Sequence, residues 1–261
     1  MGDLGVAVVI EDDLDVRNLL EGVLLQAGYV VHAAADGREG VEVVRVRKPD
    51  VVTLDVGLPD IDGFEVLRRI REFSNAYVVV LTGRNNEPDM LTALQAGADD
   101  YITKPFRPRE LRARLAAMMR RPRAQSPDEN PAGSSPEVSF RPAGNGESVL
   151  RHNGLALDYG KRTAAVDGTA LELTKSEFDL LYELLRAPGS VLSRAELVRA
   201  LRGEYYPKDA YISDSDERAV EVHIGNLRRK LRDNPESPRW LQTVRGAGYR
   251  LASPRRPTES A

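Results

Sequence analysis

Over the first 121 residues, short continuous apolar runs alternate with stretches in which apolar residues recur every three or four positions. The runs Val6–Ile10, Val30–Ala33, Val51–Leu54, Val78–Leu81 and Tyr101–Thr103 predict five short strands. The middle runs lack polar alternation, as strands buried on both faces do. The intervening stretches predict helices over about Val16–Gln26, Gly37–Lys48, Phe64–Glu72, Pro88–Gln95 and Arg107–Arg120. Gly28 and Gly97 stand where a left-handed C-cap is wanted, and Pro88 suits a first helical turn. Five β/α alternations predict an open, mostly parallel sheet covered by helices on both faces. Ligands of such sheets bind beyond the carboxyl ends of the strands.

From Pro122 to Glu147 the pattern dissolves into Pro, Ser, Gly, Ala and Asn, too few large apolar residues to order a core. A second pattern fills 148–252, and residues 253–261 form a tail of similar character. It opens with short alternating strands broken at Asn153-Gly154, Tyr159-Gly160 and Asp167-Gly168, the last a hairpin signal. Thr174 with Glu177, and Ser193 with Glu196, read as capping boxes that start two helices. A third helix is expected from Asp216 to Leu231, with an apolar stripe at Val220, Ile224, Leu227 and Leu231. Trp240–Arg250 splits at Gly246 and Gly248 into a terminal hairpin.

Composition adds three constraints. No run of about 18 apolar residues exists to span a membrane, and the N-terminus lacks the layout of a secretory signal. The chain has no cysteine, which excludes disulfides and thiolate metal sites. A cytoplasmic location is therefore expected. The net charge of −3 hides an asymmetry: residues 1–121 carry 16 basic and 20 acidic side chains, whereas 218–256 carry 10 and 3. A local basic patch of this kind suits phosphate backbones.

The chemistry sits at the predicted strand ends. Glu11-Asp12-Asp13 follows the first strand, Asp55 the third, Thr82 the fourth and Lys104 the fifth. Asp12, Asp13 and Asp55 converging at one edge repel one another unless a hard cation lies between them, and oxygen ligands with room for water suit Mg²⁺. A carboxylate can accept a phosphoryl group as nucleophile, and that transfer needs positioning and charge neutralisation more than covalent assistance. A lysine ammonium and a threonine hydroxyl supply both.

These residues resemble the response-regulator receiver domain. The resemblance covers 4–121 and rests on Glu11-Asp12-Asp13, Asp55 with Leu58-Pro59 and Asp62-Gly63, Leu81-Thr82-Gly83, Gly97-Ala98-Asp99-Asp100-Tyr101 and Lys104-Pro105-Phe106. It implies a flavodoxin-like (βα)5 domain in which a sensor histidine kinase phosphorylates Asp55. Mg²⁺ would be held by Asp12, Asp13 and Asp55 with the Gly57 carbonyl. Thr82 and Lys104 would contact the phosphoryl group, and Tyr101 would be the rotating switch aromatic. The resemblance further implies a cis Lys104-Pro105 bond and a homodimer formed on phosphorylation through Asp99, Asp100, Glu110, Arg114 and Arg121. Met90 departs from a frequent lysine, and Gly57 and Arg84 occupy positions that tune phosphoryl lifetime.

Residues 148–252 resemble the winged helix-turn-helix effector of OmpR/PhoB-type regulators, through Leu173-Thr174, Phe178–Leu181, Pro188–Arg194, Val220–Ile224, Leu227–Leu231 and Thr243–Leu251. The resemblance implies that the third helix enters the major groove and the wing reaches the minor groove. Arg218, Arg228 and Arg229 are expected at phosphates, Asn226 at adenine and Val222 at a thymine methyl. Thr243 and Arg245 are expected to contact DNA from the wing. His223 reads as a helix histidine beside core or backbone rather than a metal ligand. The long loop Glu204–Glu217 offers Tyr205, Tyr206 and Tyr211 to RNA polymerase.

The resulting expectation is a phosphorylation-dependent transcription regulator acting on promoter DNA, with no enzyme activity beyond its own phosphotransfer and autodephosphorylation. A haloacid-dehalogenase-type phosphatase also uses a nucleophilic Asp, Mg²⁺ and Lys, but needs a second Asp where Gly57 stands. An FMN-binding flavodoxin needs a phosphate cradle where this chain places acids.

Overall fold

In the computed structural model the described residues are 4–83, 87–118, 149–203 and 212–254. The expected tether at 122–147, Arg84, Arg121, the three loop tyrosines and most of the tail lie outside them, as does the side chain of Glu110.

The first unit alternates as expected: β1 (Val6–Ile10), α1 (Leu14–Gln26), β2 (Val30–Ala34), α2 (Gly37–Arg47), β3 (Val51–Asp55), α3 (Gly63–Arg71), β4 (Tyr77–Thr82), α4 (Glu87–Gln95), β5 (Asp100–Thr103) and α5 (Pro108–Met118). The sheet is parallel throughout, in the order β2-β1-β3-β4-β5. The chain thus reverses direction across the sheet between β1 and β3, which sets the acids of these two strands side by side. Strands β3 and β4 are buried along their whole length. That explains their unbroken apolar runs: each face carries a core, one around Val8, Ile10, Val52 and Leu54, the other around Ala7, Val9, Val79 and Leu81.

The second unit comprises β6 (Val149–His152), β7 (Leu155–Asp158), β8 (Thr163–Val166), β9 (Thr169–Leu171), α6 (Lys175–Arg186), α7 (Arg194–Arg202), α8 (Asp214–Leu231), β10 (Leu241–Val244) and β11 (Gly248–Leu251). The β8–β9 turn has positive φ at Asp167 and Gly168, 49° and 82°, as a two-residue hairpin of primed type requires. Both expected capping boxes form, and Ser213 with Asp216 adds a third that lengthens α8 at its start. The stripe Val220, Ile224, Leu227 and Leu231 is buried in the core of this unit. The wing hairpin β10–β11 is pinned to the body by a bridge between Leu192 and Tyr249. At Gly248 (φ 144°) a Cβ would lie 2.0 Å from the Leu192 carbonyl oxygen, so only glycine allows that approach.

The two units pack against each other. Helix α8 lies on α4, and α7 lies on α5. Ala219 and Val222 of α8 join the apolar cluster of the first unit.

Candidate functional site

Strand β1 ends at Ile10, so Glu11 is the first residue past the sheet and its carboxylate turns inward, fully buried. Asp12 is exposed beside it, and Asp55, the last residue of β3, is nearly buried. Carboxylate oxygens of Glu11, Asp12 and Asp55 lie within 4.8 Å of one another. Lys104 follows β5 and returns to this edge, because its backbone N–H donates to the Thr82 carbonyl at 2.7 Å. Its Nζ is 2.7 Å from Glu11 Oε1 and 3.1 Å from Asp55 Oδ1. Thr82, at the end of β4, is buried next to this group in the sheet. Arg17 shapes the first loop from behind, donating to the carbonyls of Glu11 and Asp12.

Burial pushes the Glu11 carboxyl above its ordinary value, and the neighbouring Asp55 and Asp12 charges push the same way against the Lys104 bond. One ammonium therefore does not neutralise the group. Glu11 Oε2 is moreover buried without a hydrogen-bond partner. A hard divalent cation fits this donor set: all ligands are carboxylate oxygens, one is orphaned, and Asp12 leaves the site open to water.

The carboxylate cluster that the structure gathers differs from the expected ligand set at one position: Asp13 is turned to α1, where its Oδ1 accepts from the N–H groups of Asp15 and Val16 as N-cap. Those bonds hold its carboxyl below the usual carboxylate range. Glu11 stands in the cluster in its stead. The order of letters does not show this, because either Asp could cap the helix and the choice depends on where β1 ends and α1 begins. Asp13→Ala is expected to lower the melting temperature through loss of the cap yet leave Mg²⁺ affinity unchanged. Glu11→Gln is expected to weaken Mg²⁺ binding at least ~10-fold. Calorimetric Mg²⁺ titration of both variants checks the pair.

The loop after β3 is braced tightly around Asp55. A Cβ on Gly63 would sit 2.4 Å from the Asp55 carbonyl oxygen, and one on Gly57 would approach Asp55 Oδ2 at 3.4 Å. The Gly57 backbone thus lies beside the carboxylate, where a carbonyl ligand was expected. The Lys104-Pro105 peptide is cis, as the resemblance implied.

The face formed by α4, β5 and α5 is occupied by the second unit. Asp99, just before β5, bonds Arg71 at 2.6 Å and accepts from the Ser176 N–H of α6 at 2.9 Å, while its carbonyl accepts from Ser176 Oγ. Asp100 pairs with Arg114 at 2.7 Å within this chain. Tyr101 faces the start of α8 beside Asp216 and Ala219, and burial raises its hydroxyl pKa. Asn226 is buried, its Nδ2 donating to the Leu94 carbonyl of α4 at 2.9 Å. In this arrangement the residues expected at a dimer contact and at DNA are engaged between the two units. Asp99, Asp100 and Arg114 make contacts inside the chain. Val222 and Asn226 face the first unit rather than a groove. The guanidinium of Arg228, a residue expected at a phosphate, donates here to the Leu241 carbonyl and to Thr243 Oγ1, fastening α8 to the wing. Arg218, Arg229, Thr243 and Arg245 are exposed. Arg71, unremarked in the sequence, ties Asp99 to the carbonyls of Gly97, Ser74 and Ala76.

A parallel α/β domain with an acid cluster and lysine at its strand ends, joined to a winged helix, defines a receiver coupled to a DNA-binding module. Comparisons with known proteins agree. Residues 7–116 match the response regulator receiver domain, and residues 168–251 match the transcriptional regulatory protein C-terminal domain. The transcriptional regulatory protein AfsQ1 of Streptomyces coelicolor is 40% identical over 95% of this chain and 98% of its own length. The alkaline phosphatase synthesis regulator PhoP of Bacillus subtilis is 35% identical over 95% and 97%. A solved RitR mutant, C128D, shares the fold with a TM-score of 0.66 at 22% identity, covering 95% of this chain and 99% of that one. The chain belongs to the two-component response regulators of OmpR/PhoB type, with an N-terminal receiver and a C-terminal DNA-binding domain. No helix among the described residues is long and apolar enough to cross a membrane.

Proposed function

We propose that Asp55 accepts a phosphoryl group from a sensor histidine kinase with Mg²⁺ held by Glu11, Asp12 and Asp55, and that this controls promoter binding. The observation that carries the reading is the bridge from Lys104 Nζ to both Glu11 and Asp55 beside an orphaned buried carboxylate oxygen. The bound cation would neutralise charge on the incoming phosphoryl oxygens. Asp55 supplies the attacking oxygen, Lys104 exchanges its carboxylate partners for a phosphoryl oxygen, and Thr82 offers a hydroxyl donor. The same site makes the protein a phosphoacceptor with self-phosphotransfer and autodephosphorylation, rather than an enzyme acting on external substrates.

Movement of Thr82 toward the phosphoryl group would open space for Tyr101. Inward rotation of Tyr101 would withdraw it from the start of α8 and loosen α8 from the receiver, a shift between two populated states. The α4-β5-α5 face then becomes available for a homodimer using Asp99, Asp100, Glu110, Arg114 and Arg121, and α8 for DNA. In the released form Val222 and Asn226 read bases, Arg218 and Arg229 meet phosphates, and Thr243 and Arg245 act from the wing. Domain limits of 4–121 and 148–252, a tether at 122–147 and a tail at 253–261 accommodate this release, in a cytoplasmic regulator whose output is RNA polymerase recruitment or exclusion.

The test is footprinting on genomic promoter fragments with and without acetyl phosphate and Mg²⁺. Protection at lower protein concentration after phosphorylation supports the reading, and identical protection refutes it. Arg245→Ala is expected to weaken binding to the protected sequence and lower the salt slope by about one unit. An unchanged affinity and slope removes the wing contact.

A further inference from the structure

His223 lies at the centre of the contact between receiver and effector. It is 1% exposed, on the side of α8 that faces the receiver, and its ring lines the boundary with Asp99, Asp100 and Tyr101. That contact crosses between the domains. No kinase or phosphoryl chemistry requires an ionisable ring there.

The charges around it are already matched. On the receiver side Asp99 is paired with Arg71, and Asp100 of β5 with Arg114 of α5. On the effector side Glu177 of α6 is paired with Lys230 of α8 at 2.7 Å, and Asp216 of α8 with Arg202 of α7. Tyr77 of β4 and Tyr101 of β5 complete the wall without charge at neutral pH. A proton added to His223 therefore enters a closed space where every nearby carboxylate has its cation. Burying a charge without its own partner is costly.

We propose that the contact between the domains is a proton-sensitive latch: His223 fits there only as the neutral imidazole, so acidification releases the effector without phosphorylation of Asp55. Burial holds the His223 pKa below its ordinary value, and the surrounding carboxylates Asp99, Glu177 and Asp100 offset this only in part. In the released form the exposed ring titrates near ~6.5. The closed form is thus fully favoured above that pH and loses ground as pH falls below it. Lys175 of α6, which sits over Tyr77, is pushed down to about 8 by burial and titrates above this window. The Asp179 carboxyl, raised by burial beside Arg162 and Lys175, acts in the opposite sense at the acid end.

The experiment uses the full chain with Asp55→Asn, so that phosphorylation plays no part and its failure is a separate matter. Because the chain has no cysteine, one can be introduced at exposed Arg47 and one at exposed Glu236 for fluorescence transfer. The ratio of open to closed molecules is expected to rise about tenfold between pH 7.5 and 5.5, the rise setting in near ~6.5 and continuing toward lower pH. His223→Gln, which keeps a neutral donor, is expected to abolish that rise. A flat response in the parent, or an equal response in His223→Gln, overturns the latch. A second readout is independent of that variant's folding: the chain has three histidines, so the His223 ring is resolvable by NMR. It is expected to titrate at lower pH in the closed protein than after Ser176→Glu. Equal titration in both overturns the proposal.

Discussion

Asp55→Asn is expected to reduce acid-labile phosphoryl incorporation from acetyl phosphate by at least ~100-fold, because the attacking carboxylate oxygen is gone. The substitution is close to isosteric, so the carboxamide oxygen still faces Lys104, which stands 3.1 Å from Asp55 Oδ1. Fold stability should hold or rise slightly. Asp55 repels the buried Glu11 carboxylate and helps to raise its pKa, and the neutral side chain removes that repulsion. Incorporation on a phosphate-affinity gel at the wild-type level would show that another residue is the acceptor. A melting curve near that of the parent separates lost chemistry from lost fold.

Ser176→Glu is expected to open the unphosphorylated protein and raise its promoter affinity on the order of ten- to a hundredfold, as the closed form stops competing with DNA. Ser176 is buried, and its N–H and Oγ both bond Asp99 across the domain boundary. A glutamate there sets a second carboxylate against Asp99, whose one cation, Arg71, is already engaged. Within the effector the change is mild, since α6 begins at Lys175 and an acid in a first helical turn is favourable. The destabilisation therefore falls on the contact between domains rather than on the winged helix. Small-angle scattering should report an increased radius of gyration together with the tighter DNA binding. An unchanged radius with unchanged affinity would show that the contact does not restrain the effector.

The two predictions address the two halves of the proposed switch. Asp55, Thr82 and Tyr101 lie on the neighbouring strands β3, β4 and β5, and Tyr101 faces Asp216 at the start of α8. Each element is tied by short backbone bonds, such as that from Lys104 N–H to Thr82 O. Helix α8 is also the one that carries Val222, His223 and Asn226.

Much of this was readable before any coordinates. Continuous apolar runs at Val51–Leu54 and Val78–Leu81 point to strands covered on both faces, and both strands are buried along their whole length. Thr174-Glu177 and Ser193-Glu196 announced two helix starts, because a capping box is local chemistry. The stripe on α8 named its core-facing side from spacing alone. The choice within Glu11-Asp12-Asp13 was harder. Three adjacent acids look alike in a string of letters, and which one caps α1 depends on where the strand ends and the helix turns.

Apolar periodicity, turn residues and caps act over a few positions, so the amino-acid order alone settled the five β/α alternations, the winged helix and the gathering of acids, hydroxyl and lysine at one sheet edge. Packing between distant segments decided the rest: Glu11 in the acid cluster, Arg71 holding Asp99, Arg228 fastened to the wing, and α8 lying on the receiver with His223 enclosed. The physical reason is range. Contacts such as Ser176 with Asp99, or Asn226 with Leu94, join residues far apart in the chain. Their strength comes from excluding water at a surface that exists only once both domains have formed.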